Sequence, residues 1–384
     1  MMTTLTTFFA RALGRCTDHA CHTLLLVALA CGLIAGCIGR PHDWPAAKGG
    51  KAMHRSDVTP LRQASAGTHR RIGTAVRSGH LTDPRLRSLV ATHFDSLTAE
   101  NEMKWGNTER QPGSFSLGAG DQLVAFAAEN GMRMRGHTLV WHLQLANWVK
   151  DLSGDALREA MKRHIRTLVG HWRGQIAQWD VVNEALADGS DGKLRDSPFL
   201  KLGEGYLDEA FRTAHEADPE ALLFYNDYGI EAGEGDAKSD GALRLCTRLK
   251  KAGVPIHGIG MQMHVDPRHW PTPEEIQRNV ERFAALGLFV EFTEMDVPVG
   301  RIRGTLDEKL QSQRTITHDI VAACFRVEKC TGITLWGISD ANSWLNDPHW
   351  GSLRGRGPHY PLAFDEVLEP KPMLFGILDA FAGR

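Results

Sequence analysis

Gly287-Leu-Phe-Val-Glu-Phe-Thr-Glu-Met-Asp-Val297 is a short, mostly apolar run that carries polar positions Glu294 and Asp296 near its C-terminal end. Val290, Phe292, Thr293 and Val297 favour a strand. Both faces are apolar until that end, as expected of a parallel strand buried on both sides. A carboxylate there sits at the rim of a low-dielectric core, where its charge is costly unless neighbours stabilise it. Glu294 is therefore either an ion-paired core group or a functional one.

Outward from this run, apolar segments alternate with helical patterns from about residue 61 onward. The expected strands are Arg71–Val76, Phe94–Ala99, Arg133–Val140, Ala177–Val182, Ala221–Asn226, Ile256–Met263, Leu288–Met295 and Gly332–Ile338. Periodic segments between them include 121–130, stopped by Gly131, then 154–171, and 206–217, stopped by Asp218-Pro219. Eight strands alternating with helices predict a single-domain α/β (β/α)8 TIM barrel over 61–384. A doubly wound open sheet is the alternative. The missing Gly-x-Gly-x-x-Gly turn and phosphate loop count against nucleotide binding.

In a barrel, chemistry belongs at the C-terminal ends of the strands. There the second strand offers Glu100, Asn101 and Lys104, and the third His137, Trp141 and Gln144. The fourth and fifth offer Asn183-Glu184 and Asn226-Asp227-Tyr228, and the sixth Gln262 and His264. The seventh ends in Glu294 and Asp296, and the eighth in Trp336, then Trp344. Seven of eight strands ending in amides, His, carboxylates or Trp is more than solvation requires. Amides, His and carboxylates suit many neutral hydroxyls, and indole faces suit a pyranose ring. The expected ligand is a neutral polysaccharide.

The charge balance agrees. With 44 basic and 46 acidic residues, the net charge of −2 argues against nucleic acid and other polyanionic partners. Residues 1–36 have another character: Arg11 and Arg15 precede an apolar run from Leu24 to Ile34, too short for a membrane span and suited to a signal peptide. Ile34-Ala35-Gly36-Cys37 is similar to a bacterial lipoprotein box, in which Cys37 is acylated; an ordinary secretory signal cut near Ala35 is the alternative. Residues 37–60, with Pro41, Pro45, Gly49 and Gly50, suit a flexible tether. The expectation is an exported, membrane-anchored protein facing the periplasm or the cell exterior, or else a secreted one. Past the tether, Cys246, Cys324 and Cys330 remain. Cys324 and Cys330 are expected to pair across a small loop, and Cys246 to be a buried thiol. No Cys/His spacing resembles a zinc site, so no metal or cofactor is expected.

Glycosidic hydrolysis needs an acid for the leaving oxygen and a second carboxylate. Glu184 and Glu294 would face one cavity from strands four and seven. Partial burial favours the protonated form of Glu184, suiting it to general acid. His264, oriented by Asp296 and donating to Glu294, would keep Glu294 ionised as nucleophile. Their carboxyls should then lie roughly 5–5.5 Å apart, giving retention. Reversed roles are the alternative.

Seven segments now carry a resemblance: 97–105 (LTAENEMKW), 135–142 (RGHTLVWH), 179–185 (WDVVNEA), 224–228 (FYNDY), 258–264 (GIGMQMH), 291–296 (EFTEMD) and 334–340 (TLWGISD). Together they resemble glycoside hydrolase family 10 endo-β-1,4-xylanases, over about 61–383. The resemblance implies retention, with Glu184 as acid/base and Glu294 as nucleophile. It implies that Glu100, Asn101, Lys104, His137, Trp141, Gln144 and Trp336 hold sugars on the non-reducing side of the cut. Asn183 would reach the 2-hydroxyl of the sugar being cleaved. Asn226, Tyr228 and Gln262 would lie near the cut or on the leaving-group side, and the rim positions of His264 and Trp344 complete the expected substrate contacts. The Cys324–Cys330 pair matches a disulfide seen in such enzymes. The implied partners are xylan and xylo-oligosaccharides, and the expected state is a monomer.

Two positions depart from the family pattern. Met295 stands where Leu, Ile or Tyr is usual. Leu345 follows Trp344 where Arg is frequent, which would loosen the loop 342–360. Trp105, Trp148, Trp172 and Trp179 are expected to pack rather than bind sugar, His142 and His171 to be structural, Glu102 and Asp227 to be paired core carboxylates, and Tyr225 to point inward. Other functions consistent with the same rim are a non-catalytic surface glycan-binding protein and another retaining β-glycosidase, a glucanase or xylosidase.

Overall fold

The apolar runs form eight parallel strands: β1 (Arg71–Val76), β2 (Ser96–Ala99), β3 (Arg133–Trp141), β4 (Gln178–Asn183), β5 (Leu222–Asp227), β6 (Gly258–Met261), β7 (Phe289–Met295) and β8 (Cys330–Leu335). They pair in chain order and close when β8 returns to β1, through pairs such as Ile72 with Ile333. This is the expected (β/α)8 barrel, not an open sheet. The computed structural model describes residues 58–189, 191–347 and 357–383. The expected signal, Cys37 and nearly all of the tether lie outside them.

Parallel neighbours need long crossovers, and a helix follows each strand. These are α1 (Pro84–His93), α2 (Gly118–Glu129), α3 (Gly154–His171), α4 (Tyr206–Ala217), α5 (Ala237–Lys251), α6 (Pro273–Ala284), α7 (Leu306–Phe325) and α8 (Pro372–Phe381). Their helical period lays an apolar stripe on the barrel. In α4 the buried stripe includes Leu207, Ala210, Phe211 and Ala214. Thr272 with Glu275 forms a capping box at the start of α6, and Thr305 with Glu308 does so for α7.

Three strands stop short of the bounds that the sequence suggests: β6, which spans only Gly258–Met261 of the expected Ile256–Met263, and β2 and β8. At β2, the Phe94 N–H still bonds the Val90 carbonyl at the end of α1, so the strand begins at Ser96. At β8, Gly337 adopts φ 135 and the chain leaves the sheet after Leu335, not at Ile338.

The larger difference is inside the barrel. Glu291, passed over in the apolar reading of β7, is 6% exposed and accepts from Arg135 Nη1 at 2.9 Å, Gln178 Nε2 at 2.6 Å and Thr331 Oγ1 at 3.1 Å. Arg135 also pairs with Asp180, which lies 2.9 Å from His137 Nδ1. Partners on β3, β4 and β8 place these groups in the barrel interior. Such a buried ionic layer is tolerated because every charge in it is paired and hydrogen-bonded.

Strict alternation would put Glu291 and Glu294, three residues apart, on opposite faces. The β7–β8 pairing shifts register between Phe292 and Met295. β3 and β4 shift likewise, beyond His137 and beyond Asp180. These irregularities turn side chains at the strand ends toward the barrel mouth.

Cys324 at the end of α7 is bonded to Cys330 at the start of β8, and Cys246 is a free buried thiol, both as expected. Trp105, Trp172, Trp179 and Tyr225 are buried in the core, and Trp148 packs against it. Asp227 is a paired core carboxylate, bonded to Lys238 at 3.1 Å. Glu102 differs: it is half-buried and accepts the Ser78 and Asn101 backbone N–H groups, with Arg77 near enough to feel its charge. The substituted positions Met295 and Leu345 are both buried. Part of the loop expected to loosen, residues 348–356, lies outside the described residues.

Candidate active site

A cavity of about 560 Å³ opens at the C-terminal ends of the strands. Fourteen of the expected residues border it: Glu100, Asn101, Lys104, His137, Trp141, Gln144, Asn183, Glu184, Tyr228, Gln262, His264, Glu294, Trp336 and Trp344. Asp296 lies behind His264, the place foreseen for it.

Glu184 follows directly on β4. Trp141 Nε1 donates to its Oε2 at 2.8 Å and Gln262 Nε2 to its Oε1 at 3.0 Å. Its backbone is left-handed, with φ 56, as are Gln144 (φ 45) and Met263 (φ 58) on the same rim. A non-glycine residue there costs about 1 kcal/mol or more, so surrounding contacts must impose it. For Glu184, its N–H bonds the Asn226 carbonyl at 2.8 Å and Arg195 Nε donates to its carbonyl at 3.2 Å.

Glu294 is braced from two sides. Asn226 Nδ2 donates to Oε1 at 2.8 Å, and His264 Nε2 lies 3.3 Å from Oε2. His264 Nδ1 lies 2.9 Å from Asp296 Oδ2, which also accepts from Trp344 Nε1 at 2.8 Å. Burial alone would strip His264 of its proton, but Asp296 and Glu294 outweigh it and push its pKa up to about 10. As an imidazolium it donates to both carboxylates. This is the arrangement expected of a nucleophile's support.

Asn226 is a correction. Expected among the sugar contacts, it is fully buried and does not border the cavity. Thr293 Oγ1 donates to its Oδ1 at 2.6 Å, and its Nδ2 holds Glu294. It positions the carboxylate from within the wall, level with Asn183 in the β4–β5 pairing. Gly260 is required under it: a Cβ there would come within 2.1 Å of Asn226 Oδ1.

Lys104, just past β2, is buried, 3.2 Å from Asn101 Oδ1, with its ammonium 4.9 Å from the centre of the Trp141 ring. Burial lowers its pKa, while Glu294, Glu100 and Glu184 oppose that. Burial raises the Glu100 carboxyl, against the pull of Arg77, whose Nε donates to it at 2.8 Å. Among the described residues the Lys104 ammonium donates to Asn101 alone, which leaves donor capacity at the cavity it borders.

Arg77 was missed, although it directly follows β1 and the same strand-end rule would have found it. Trp270 was also missed. It lines the cleft from the β6–α6 connection, where an indole carries no sequence signal of its side. His142 and His171 stay outside the cavity; His171 Nε2 lies 2.7 Å from Asp121.

The arrangement places two carboxylates on one cleft with different partners. One is held by neutral N–H donors of Trp and Gln, the other by an amide and an imidazolium. Both carboxyls border the same cavity, so they can act together on one bound glycoside.

A sequence profile described as glycosyl hydrolase family 10 matches residues 60–380. A β-1,4-xylanase of Dictyoglomus thermophilum is 39% identical over 316 residues, covering 80% of this chain and 87% of that protein. An endo-1,4-β-xylanase of Agaricus bisporus is 40% identical over 318 residues, covering 81% and 90%. Among solved structures, xylanase 10B from Thermotoga petrophila RKU-1 in complex with xylobiose superposes with a TM-score of 0.79 at 36% identity, covering 85% of this chain and 98% of that one.

Proposed function

The chain belongs to glycosyl hydrolase family 10, and from that premise we propose how its cleft works. The protein is an endo-1,4-β-xylanase, hydrolysing internal β-1,4-xylosidic linkages of xylan with retention of configuration. In the proposed assignment, the Glu294 carboxylate attacks the anomeric carbon as Glu184 passes its proton to the departing glycosidic oxygen. This leaves a covalent xylosyl ester on Glu294. Glu184, now ionised, takes a proton from water, which attacks the same carbon and releases the sugar with its original configuration.

The observation that carries the assignment is the bracing of the two carboxylates on one cavity: His264 and Asn226 on Glu294, Trp141 and Gln262 on Glu184. Lys104, Asn101, Glu100, Gln144, His137 and Trp336 supply donors, acceptors and an indole face for the sugars on one side of the cut. Tyr228 lies toward the other. A purely glycan-binding role would not need this asymmetric pair. Incubation with a 2-fluoro xylobioside that traps the ester, followed by peptide mass mapping, should place the label on Glu294. Glu294→Ala should abolish release of reducing sugar from xylan while leaving the circular dichroism spectrum unchanged. A label on another residue, or turnover by that variant, would overturn the assignment.

The localisation proposal stands on the N-terminal sequence alone. Residues 1–36 would be a lipoprotein-type signal, Cys37 the acylated residue, and 37–60 a tether holding the barrel at a membrane surface. An unmodified mature N-terminus by mass spectrometry would remove the anchor. Since one barrel contains the whole cleft, we also propose that it works as a monomer, which size-exclusion with light scattering tests.

A further inference from the structure

The segment that follows Glu184 is tied down by charged groups that the reaction itself does not use. Asp227, buried at the end of β5, accepts the Leu186 N–H at 3.3 Å and the Tyr228 N–H at 2.9 Å. Lys238, near the start of α5, reaches Asp227 Oδ1 and Asp188 Oδ1, each at 3.1 Å. Its ammonium also lies 3.5 Å from the centre of the Tyr228 ring. Asp188 accepts from the Tyr228 hydroxyl at 2.6 Å and from Arg195 at 3.2 Å. Arg195 closes the circuit: Nη2 donates to the Tyr228 hydroxyl at 2.9 Å, and Nε to the Glu184 carbonyl at 3.2 Å.

Two cations and two carboxylates thus enclose the turn that leaves Glu184; none of the four borders the cleft, which they reach through the Glu184 backbone and through Tyr228. The left-handed backbone of Glu184 needs such enclosure, because nothing intrinsic to a glutamate favours it. Lys238 is the keystone. Burial pushes the Asp227 carboxyl up to about 7, and Lys238 is the main influence holding it down. Without that cation the Asp227 carboxyl would rise further, hold its proton through neutral pH and weaken its grip on the Leu186 N–H.

We propose that Lys238, Asp227, Asp188 and Arg195 form a positioning lattice for the acid/base, fixing the Glu184 carboxyl where the leaving oxygen of the substrate departs. The lattice therefore matters for leaving groups that must be protonated and not for those that depart as stable anions. This rests on Glu184 being the acid/base. It assigns the four residues no contact with substrate; they act through the backbone at 184–186 and through the Tyr228 hydroxyl.

The test compares kcat/KM on xylohexaose, whose leaving sugar needs a proton, with 2,4-dinitrophenyl β-xylobioside, whose phenolate does not. Lys238→Met should lose about tenfold to a hundredfold on xylohexaose, the range of a misplaced acid, and stay within about threefold of wild type on the aryl glycoside. Lys238→Arg should recover most of the loss. Asp188→Asn, at a half-exposed position that is safe for folding, should show the same split more weakly and carries the test if Lys238→Met does not fold. An equal fall on both substrates, or no fall on either, overturns the lattice. Glu184→Ala is the reference. If it shows no split between the substrates, the acid/base assignment fails, and this proposal with it; if it shows the split and the lattice variants do not, the lattice alone fails.

Discussion

Replacing His264 by glutamine should remove a share of stability that depends on pH. Burial disfavours charge on this imidazole, yet Asp296 and Glu294, at 2.9 and 3.3 Å, outweigh it and raise its pKa from 6.5 to about 10. A folded-state value above the unfolded one fixes the sign. The imidazolium stabilises the fold fully below about pH 6.5, and the contribution fades as pH climbs toward about 10. At 1.36 kcal/mol per pKa unit, the contribution at pH 6 exceeds that at pH 8 by about 2 kcal/mol. Equilibrium urea denaturation of both proteins between these two pH values measures it. The gap between wild type and His264→Gln should be widest at the acidic end and narrow by about 2 kcal/mol at the alkaline end. Taking the difference cancels groups that titrate in both proteins, such as Asp227. A gap that stays constant, or widens with pH, would show that His264 is not charged between its two carboxylates, and the account of how it braces Glu294 would fall.

Two further outcomes follow from contacts already described. Asn226→Ala removes a 2.8 Å donor from Glu294; a hydrogen bond to a charged group of this kind predicts a loss in kcat of about 10- to 100-fold. KM for xylan should hardly move, since Asn226 does not border the cavity, and steady-state kinetics separate the two parameters. Serine at both Cys324 and Cys330 opens a loop whose ends are 6 residues apart. The chain-entropy relation gives a loss of about 2 kcal/mol, visible as a lower urea midpoint that reductant no longer shifts, while wild type falls toward it on reduction.

Much of this molecule is legible without coordinates. The strands and helices follow from periodicity, since a residue's chance of burial is set by its neighbours two, three and four places away. The eightfold alternation then leaves few topologies, and the strand-end rule collects the rim residues, because a barrel turns eight distant termini into one ring. Even the pairing of His264 with Asp296 behind Glu294 is readable once the sixth and seventh strands are taken as neighbours.

The residues at the strand ends show where that reasoning stops. Period two cannot place Glu291 and Glu294 on their proper sides, because a register shift against β8 intervenes and is a property of the pair of strands, not of either sequence. Asn226 looks like any other rim amide, and pairs level with the cavity-lining Asn183, until its contacts with Thr293 and Glu294 across the barrel are known. The lattice around Lys238 joins residues 184, 186, 188 and 195 to 227, 228 and 238 through side-chain reach alone. By itself the sequence determined which chemical groups the barrel mouth would hold, because composition and periodicity are local. Only the tertiary structure decided which of them face the sugar and which hold another in place, because that depends on height and register between strands far apart in the chain.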